Sequence, residues 1–365
     1  MGEYVMKSGL RTMALVMVLL APIASAQLTL NANDHVAFIG NALPDRMQHD
    51  GWLETYLQVA NPDKNLVIRN MGFTGDQVAL RPRNENFQSF DDGMKLVGAD
   101  VIFAFYGYNE SFAHDPATFK QQLITFIEDM GGKQYNGKSA PRLVLVSPIA
   151  HENLDSPDLP DGAENNLWLS IYTDAMARVA HELELPFVDL FAASQILYEA
   201  NAEPLTINGV HLNDLGNQLI GKALVEGLGM SVPDKDVAGI HTAVLEKNWC
   251  WFNRYRATDG NDVWGSRSTL TFVDDQTNGE VLQHELIMLD VMTANRDQVI
   301  WKATSGELVP PDDSNVPDPV QVITNIDSRP NGGNGSLDAV PADKGVETLT
   351  LAPGLEAKLF ASEEM

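Results

Sequence analysis

Short apolar runs alternate with longer amphipathic stretches through the first two thirds of the chain, and that alternation sets the first expectation. Runs of about five apolar residues rich in Val, Ile and Phe are too short for helices and read as strands. Five emerge: His35 to Ile39, Leu66 to Asn70, Val101 to Tyr106, Leu143 to Ser147 and Phe187 to Leu190. Between them apolar positions recur every three or four residues, the mark of a helix with one buried face. Trp52, Leu53, Tyr56 and Leu57 form one stripe, and Phe119, Leu123, Phe126 and Ile127 a second. Leu167, Ile171, Ala175, Val179 and Leu183 make a third, and Leu215, Leu219, Ile220, Leu224 and Val225 close the series. Strands and helices in turn predict an α/β fold with a parallel sheet covered on both faces. In such a sheet ligands sit beyond the carboxyl ends of the strands, which directs attention to the residues that follow each one.

The texture changes near residue 235. Trp249, Trp251, Phe252, Tyr255 and Trp264 crowd together, a helical pattern runs from Glu280 to Val291, and Trp301 follows. So many aromatics are costly in water. They predict a helical appendage over 236–305, packed on an α/β domain over 27–235. Residues 306–345 are dense in Pro, Gly, Asp, Asn and Ser and read as a linker, while 346–365 regains apolar, β-type character and reads as the start of a further β domain. At the other end, Lys7 and Arg11 precede an apolar stretch from Met13 to Ile23 and the small residues Ala24-Ser25-Ala26. That is the pattern of a signal peptide over 1–26, cleaved after Ala26, and it predicts a secreted or periplasmic protein. The apolar stretch is well short of the ~20 residues that span a bilayer, so no membrane partner is expected once the leader is removed.

Charge and cysteine content narrow the function. With 24 Lys and Arg against 50 Asp and Glu, the net charge is −26, which argues against nucleic acid as a partner, because phosphate binding needs a basic face. The single cysteine, Cys250, excludes an intrachain disulfide, a cysteine-ligated metal cluster and a haem-attachment motif, so no cofactor is expected. His284-Glu285 begins like a zinc-protease motif but has Met288 where the second histidine belongs. Asp259-Gly260-Asn261-Asp262 lacks calcium-loop spacing and reads as a turn, and Asp274-Asp275 as a solvated face.

The loops after the strands hold the candidate chemistry. Gly40-Asn41-Ala42-Leu43 follows the first strand, Gly72-Phe73-Thr74-Gly75-Asp76 the second and Gly107-Tyr108-Asn109-Glu110 the third; Asn208-Gly209-Val210-His211 comes after the fifth strand and a helix. Gly75 offers a bare backbone N–H and Asn109 a side-chain amide, the materials of an oxyanion hole, and His211 is a candidate general base.

Together, over about residues 34–227, these four blocks resemble the SGNH or GDSL hydrolases, serine esterases and lipases on a flavodoxin-like sheet. The resemblance implies a three-layer α/β/α fold with five parallel strands, an activity on ester bonds, including acyl esters of carbohydrates, and a small-molecule or polysaccharide ester as ligand. It puts the family's nucleophilic serine at Ala42, in a Gly40-Asn41-Ala42-Leu43 block where the family has Gly-Asp-Ser-Leu. It also puts oxyanion donors at Gly75 and Asn109, the triad aspartate at Asn208 and the triad base at His211. Two of these positions depart from the pattern in ways that strike the covalent mechanism. Alanine has no atom that attacks a carbonyl, and neutral Asn208 cannot stabilise an imidazolium.

Thr74, Ser111, His151 and Glu152 lie near enough in sequence to stand as substitutes, the last two by activating water directly. Two functions therefore stay open: an ester hydrolase with an atypical site, and a binding module that keeps the pocket to recognise an acylated or carboxylated ligand. A spacer without ligand is a third. Asn248 to Arg256, Thr293 to Asp297 and Ala357 to Ala361 add a second resemblance, to large secreted planctomycete-type proteins in which an SGNH-like module precedes a β-propeller and a haem-binding domain.

Overall fold

The computed structural model of the chain describes residues 27–83, 87–256, 260–271, 275–322 and 340–361. The expected leader over 1–26 lies outside the described residues, as do Asp259 and Asp274. The chain divides into two compact units, one made of residues up to 83, 88–257 and 289–315, the other of 84–87, 258–288 and 316–365.

The first unit holds the sheet. Strands β1 (His35–Gly40), β2 (Val67–Asn70), β3 (Val101–Phe105), β4 (Arg142–Val146) and β5 (Phe187–Val188) are all parallel, in the order β2-β1-β3-β4-β5. This is the flavodoxin-like order, and the expected five-stranded α/β/α architecture is what the chain adopts. Helices α1 (Ala42–Asp50), α2 (Trp52–Ala60), α3 (Phe90–Val97), α4 (Tyr108–Ser111), α5 (Pro116–Gly131), α6 (Ala163–Glu182), α7 (Leu190–Ala200) and α8 (Asp214–Gly227) connect the strands and cover them. Local chemistry fixes several starts: side-chain oxygens of Asn41, Ser89, Asp115, Asp189 and Asn213 each accept from a first-turn N–H. Val101, Phe103 and Phe105 pack in one cluster with Leu53 and Leu57 of α2 and Ile220 and Leu224 of α8. Ile102 and Ala104 are equally buried on the opposite face, which is why the run is apolar throughout. Each such large apolar side chain contributes about 1.5–3 kcal/mol on burial.

Helix α6 corrects the expected stripe. Leu167, Ile171 and Leu183 face solvent, whereas Leu169, Tyr172, Met176, Val179 and Ala180 are buried. A strict four-residue ladder turns about 40° beyond a full circle at each step. Five members therefore drift off any one face, and the buried face follows mixed three- and four-residue spacing from Leu169.

Helices α9 (Ala238–Tyr255), α10 (Gly260–Val263) and α11 (Asn278–Thr304) make up the expected helical C-terminal region. Helix α9 and the later half of α11 belong to the first unit and pack beside β2. There the outward carbonyls of the edge strand meet side-chain donors. The Trp301 indole N–H reaches Leu66 O at 3.0 Å, Lys247 Nζ reaches Ile68 O at 2.9 Å, and the Trp251 indole N–H reaches Asn70 O at 2.6 Å. Lys247 also pairs with Glu54 at 2.6 Å, and Arg69 forms a two-pronged pair with Asp297 at 2.5 and 3.0 Å. Burial pushes Glu54 up and Lys247 down, toward their neutral forms, and their mutual attraction opposes it. Trp249, by contrast, is exposed.

The segment read as a linker is part of the first unit as far as residue 315, because Asp313 accepts two bonds from Arg296, each 3.0 Å, and one from Asn295. Residues 323–339 lie outside the described residues. The β-type character expected of Val346–Phe360 is not realised: a helical turn at Ala342–Gly345 leads into a 3-10 turn at Val346–Thr348, with no strand among the described residues that follow. Apolar alternation yields a strand only where another strand supplies the ladder. In the second unit, Phe87 and Trp264 meet edge to face, Thr271 and Thr277 form an isolated bridge, and His284 Nε2 lies 2.8 Å from Asp318 O.

Candidate functional site

Where β1 lies between β2 and β3, the loops leaving the carboxyl ends of the strands diverge and enclose a cavity of about 310 Å³ in the first unit. Asn41, Ala42, Gly75, Asn109, Asn208 and His211 all line it. Arg46, Phe105, Tyr106, Tyr108, Ile149 and Asn217 complete much of the remaining wall.

The first loop is shaped by close packing. Gly40 has φ +125°, and a Cβ there would lie 2.0 Å from Phe105 O, so only glycine lets β1 pass beside β3 at this point. Asn41 then turns the chain into α1: its N–H donates to Phe105 O at 3.4 Å and its Oδ1 accepts from Leu43 N at 3.1 Å. Ala42 is the first residue of α1, so its N–H has no helical acceptor, and its side chain is a methyl group. Arg46 sits one helical turn further on.

The second loop is held by buried carboxylates and amides. Asn70 Oδ1 accepts from Gly72 N at 2.9 Å while its Nδ2 donates to Pro44 O at 2.7 Å. Asp45 Oδ2 accepts from the Thr74 N–H at 3.2 Å and the Thr74 hydroxyl at 2.7 Å, so that hydroxyl is engaged in holding the loop. Gly75 has φ +91°, and no described residue accepts its N–H. Asn109 Nδ2 donates to Asp76 O at 3.0 Å, which leaves its second N–H for a ligand. Glu110 ties the second and third loops together, accepting from Val78 N and Gly107 N, each at 2.8 Å; burial raises its pKa and these bonds oppose the rise.

The fourth loop carries the imidazole. His211 Nδ1 lies 3.1 Å from Asn208 Oδ1 and 3.0 Å from Asn208 Nδ2. Asn208 Oδ1 also accepts the N–H groups of Val210 and His211, at 3.2 and 2.9 Å. Nδ1 can donate to that carbonyl or accept from the amide, and in the first tautomer Nε2 is the acceptor of the ring. Burial lowers the His211 pKa, and the positive charge of Arg46 lowers it further. No carboxylate offsets either effect, because the position that would supply one is Asn208.

None of the four entertained substitutes serves as a nucleophile or base here. Besides the engaged Thr74, the Ser111 hydroxyl donates to Tyr108 O at 2.7 Å. Glu152 accepts from Leu205 N, Thr206 N and the Thr206 hydroxyl at 3.0, 2.7 and 2.6 Å, so its work is to brace the loop that delivers His211. His151 lies off the cavity lining, buried against Gly162 and Gly209, with Nδ1 3.0 Å from Asn165 Nδ2. Sequence reasoning missed Arg46, which helical spacing from Ala42 signals, and Asp45, whose burial has no local signal.

The model of the GDSL-like Lipase/Acylhydrolase family matches residues 45–219, just under half of the chain. The matched span begins three positions past Ala42 and leaves out the nucleophile loop. Over 220 residues the chain is 21% identical to the rhamnogalacturonan acetylesterase RhgT of Bacillus subtilis, covering 54% of this chain and 89% of that protein. Among solved structures, a catalytic mutant of an acetylxylan esterase from Geobacillus stearothermophilus is 16% identical with a TM-score of 0.45, covering 57% of this chain and all of that one. A gut microbial diltiazem-metabolizing enzyme is 15% identical with a TM-score of 0.43; the match covers 57% of this chain and about half, 49%, of that one.

Proposed function

We propose that the cavity binds the acyl ester or carboxylate group of a carbohydrate ligand and does so without an acyl-serine step. The observation that carries this reading is Ala42 in the same cavity wall as Gly75, Asn109 and His211: the donors for a carbonyl oxygen are present and the nucleophile is not. In serine esterases a hydroxyl oxygen attacks the carbonyl carbon while the histidine takes its proton. A methyl group offers neither lone pair nor proton. A carbonyl oxygen seated against the Gly75 N–H and Asn109 Nδ2 is then held as a ground state, in the same geometry that stabilises an oxyanion elsewhere. Phe105, Tyr108 and Ile149 provide an apolar wall for an acyl chain or sugar face, and Arg46 adds positive charge that suits a carboxylate. The likeness to a rhamnogalacturonan acetylesterase supports a carbohydrate ligand. The leader pattern supports action outside the cytoplasm, and the later blocks support a place ahead of a β-propeller in a larger protein.

One observation favours a second reading. With its pKa lowered, His211 is neutral near pH 7, and Nε2 is suited to take a proton from water. That water would attack the ester carbonyl, and collapse of the tetrahedral intermediate would release acid and alcohol. Calorimetric titration with acetylated and deacetylated xylo- and rhamnogalacturonan oligosaccharides, with acetate release followed in parallel, separates the two. Binding at least tenfold tighter to one form, lost in His211→Ala, with no acetate released, supports the binding module. Acetate release that His211→Ala abolishes replaces it with the hydrolase, and no binding to any form sinks both.

A further inference from the structure

We propose that Arg256, at the end of α9, is a positioning residue of the cavity, holding the second loop so that the Gly75 N–H faces the ligand. This rests on the reading of Gly75 as a ligand donor. Arg256 is 184 residues from Gly72 in sequence, outside the family-matched span, yet it reaches three parts of the site at once. Its Nη1 donates to Asp45 Oδ1 at 2.8 Å and lies 3.3 Å from Gly72 O, and its guanidinium carbon stands 3.7 Å from the centroid of the Phe73 ring. Arg83 stacks on the same ring at 3.9 Å and forms a two-pronged pair with Asp76 at 2.6 and 2.9 Å.

The consequence follows residue by residue. Asp45 uses one oxygen for Arg256 and the other for the N–H and hydroxyl of Thr74. Phe73 carries two guanidinium groups on its ring, and Asp76 is tied to Arg83 through its side chain and to Asn109 through its carbonyl. Residues 72, 73, 74 and 76 are thus each fixed by a charged group or by Asn109, and Gly75 alone is left unbonded between them. Glycine lacks a side chain to fix its own orientation, so the direction of its N–H is inherited from these neighbours. Preorganised donors act only when their geometry is set before the ligand arrives. Arg256 supplies the charge that keeps Asp45, a buried carboxylate, in place.

Amide hydrogen exchange tests the inference without any ligand. In Arg256→Ala the hydrogen-bonded amides of Thr74 and Asp76, which flank Gly75, should exchange at least tenfold faster, with β1 and β3 unchanged; Trp249→Ala, exposed on the same helix, should leave all of them unchanged. Arg256→Lys keeps the charge beside Asp45 but loses the planar stack, and should fall between. It also serves if the alanine variant does not fold. Unchanged protection at Thr74 and Asp76 in both Arg256 variants overturns the proposal. In the Ala42→Ser/Asn208→Asp background, Arg256→Ala should lower kcat per titrated active site about tenfold while KM stays within twofold. A fall confined to the fraction of active sites would mean a purely structural role and would also overturn it. Faster exchange without ligand binding by the parent protein keeps the positioning role and removes the proposed function, so the two fail separately.

Discussion

The cavity and the seam beside β2 treat charge in opposite ways. Around the cavity the polar groups in the lining are amides, hydroxyls and an imidazole, with Arg46 the charged side chain and the Ala42 methyl among them. Beside β2, four charged side chains, Glu54, Lys247, Arg69 and Asp297, are buried and paired. Charge thus remains where it docks helices on the sheet and is missing at the two positions where covalent ester chemistry requires a nucleophile and its supporting acid. The frame is held by its own set of interactions, separate from those that would perform a reaction.

The comparison breaks most visibly if chemistry is put back. Ala42→Ser with Asn208→Asp should raise hydrolysis of a short-chain chromogenic ester by about 10⁴-fold or more over the parent protein, given the roughly 10⁴ that loss of a triad carboxylate costs. No gain, in a variant with an unchanged melting curve, would mean the cavity is not an intact esterase frame. Next in size, Lys247→Ala should cost about 3–5 kcal/mol in chemical denaturation, because it leaves Glu54 buried and unpaired, whereas Lys247→Met with Glu54→Leu should recover most of that. Equal losses in the two variants would mean that the charges matter less than the packing. Trp301→Phe removes the N–H to Leu66 O while keeping most of the ring, and should cost about 1 kcal/mol by the same measurement.

The smallest effect is a pH slope. The His211 pKa is lowered on folding, so its neutral form is favoured in the native state and its contribution is fully present above the unfolded value of about 6.5. It declines as pH falls through the depressed value. Asp50, Glu54, Asp76 and Glu110 have raised values and act with the opposite sign, their contribution being lost as pH rises through the folded values. The difference between parent and His211→Gln isolates the histidine: the variant should lose less stability between pH 7 and 5. Parallel curves would show that His211 titrates as if free.

Much of the fold is legible in the sequence because its strongest signals are local. Strand β3 is an unbroken apolar run, and the four loops announce themselves by glycine and amide residues just past strand ends. On α6 the apolar ladder from Leu167 departs from the buried face because a four-residue repeat and a helix face have different periods. What sequence reading misses is the long-range ties: Asp313 pinning coil that composition marks as linker, Glu152 bracing the His211 loop, and Arg256 reaching Asp45 across 211 positions. Each rests on a few polar contacts between separate segments, and no periodicity encodes them.

The three carbonyls of Leu66, Ile68 and Asn70 point outward from an edge strand, and an unprotected edge invites pairing with another chain. Here two indoles and an ammonium group occupy that edge in place of a sixth strand. All three donors come from beyond residue 245, outside the span that the family model matches. A version cut at residue 219, where the family match ends, would therefore lose all three donors and should leave β2 an open edge.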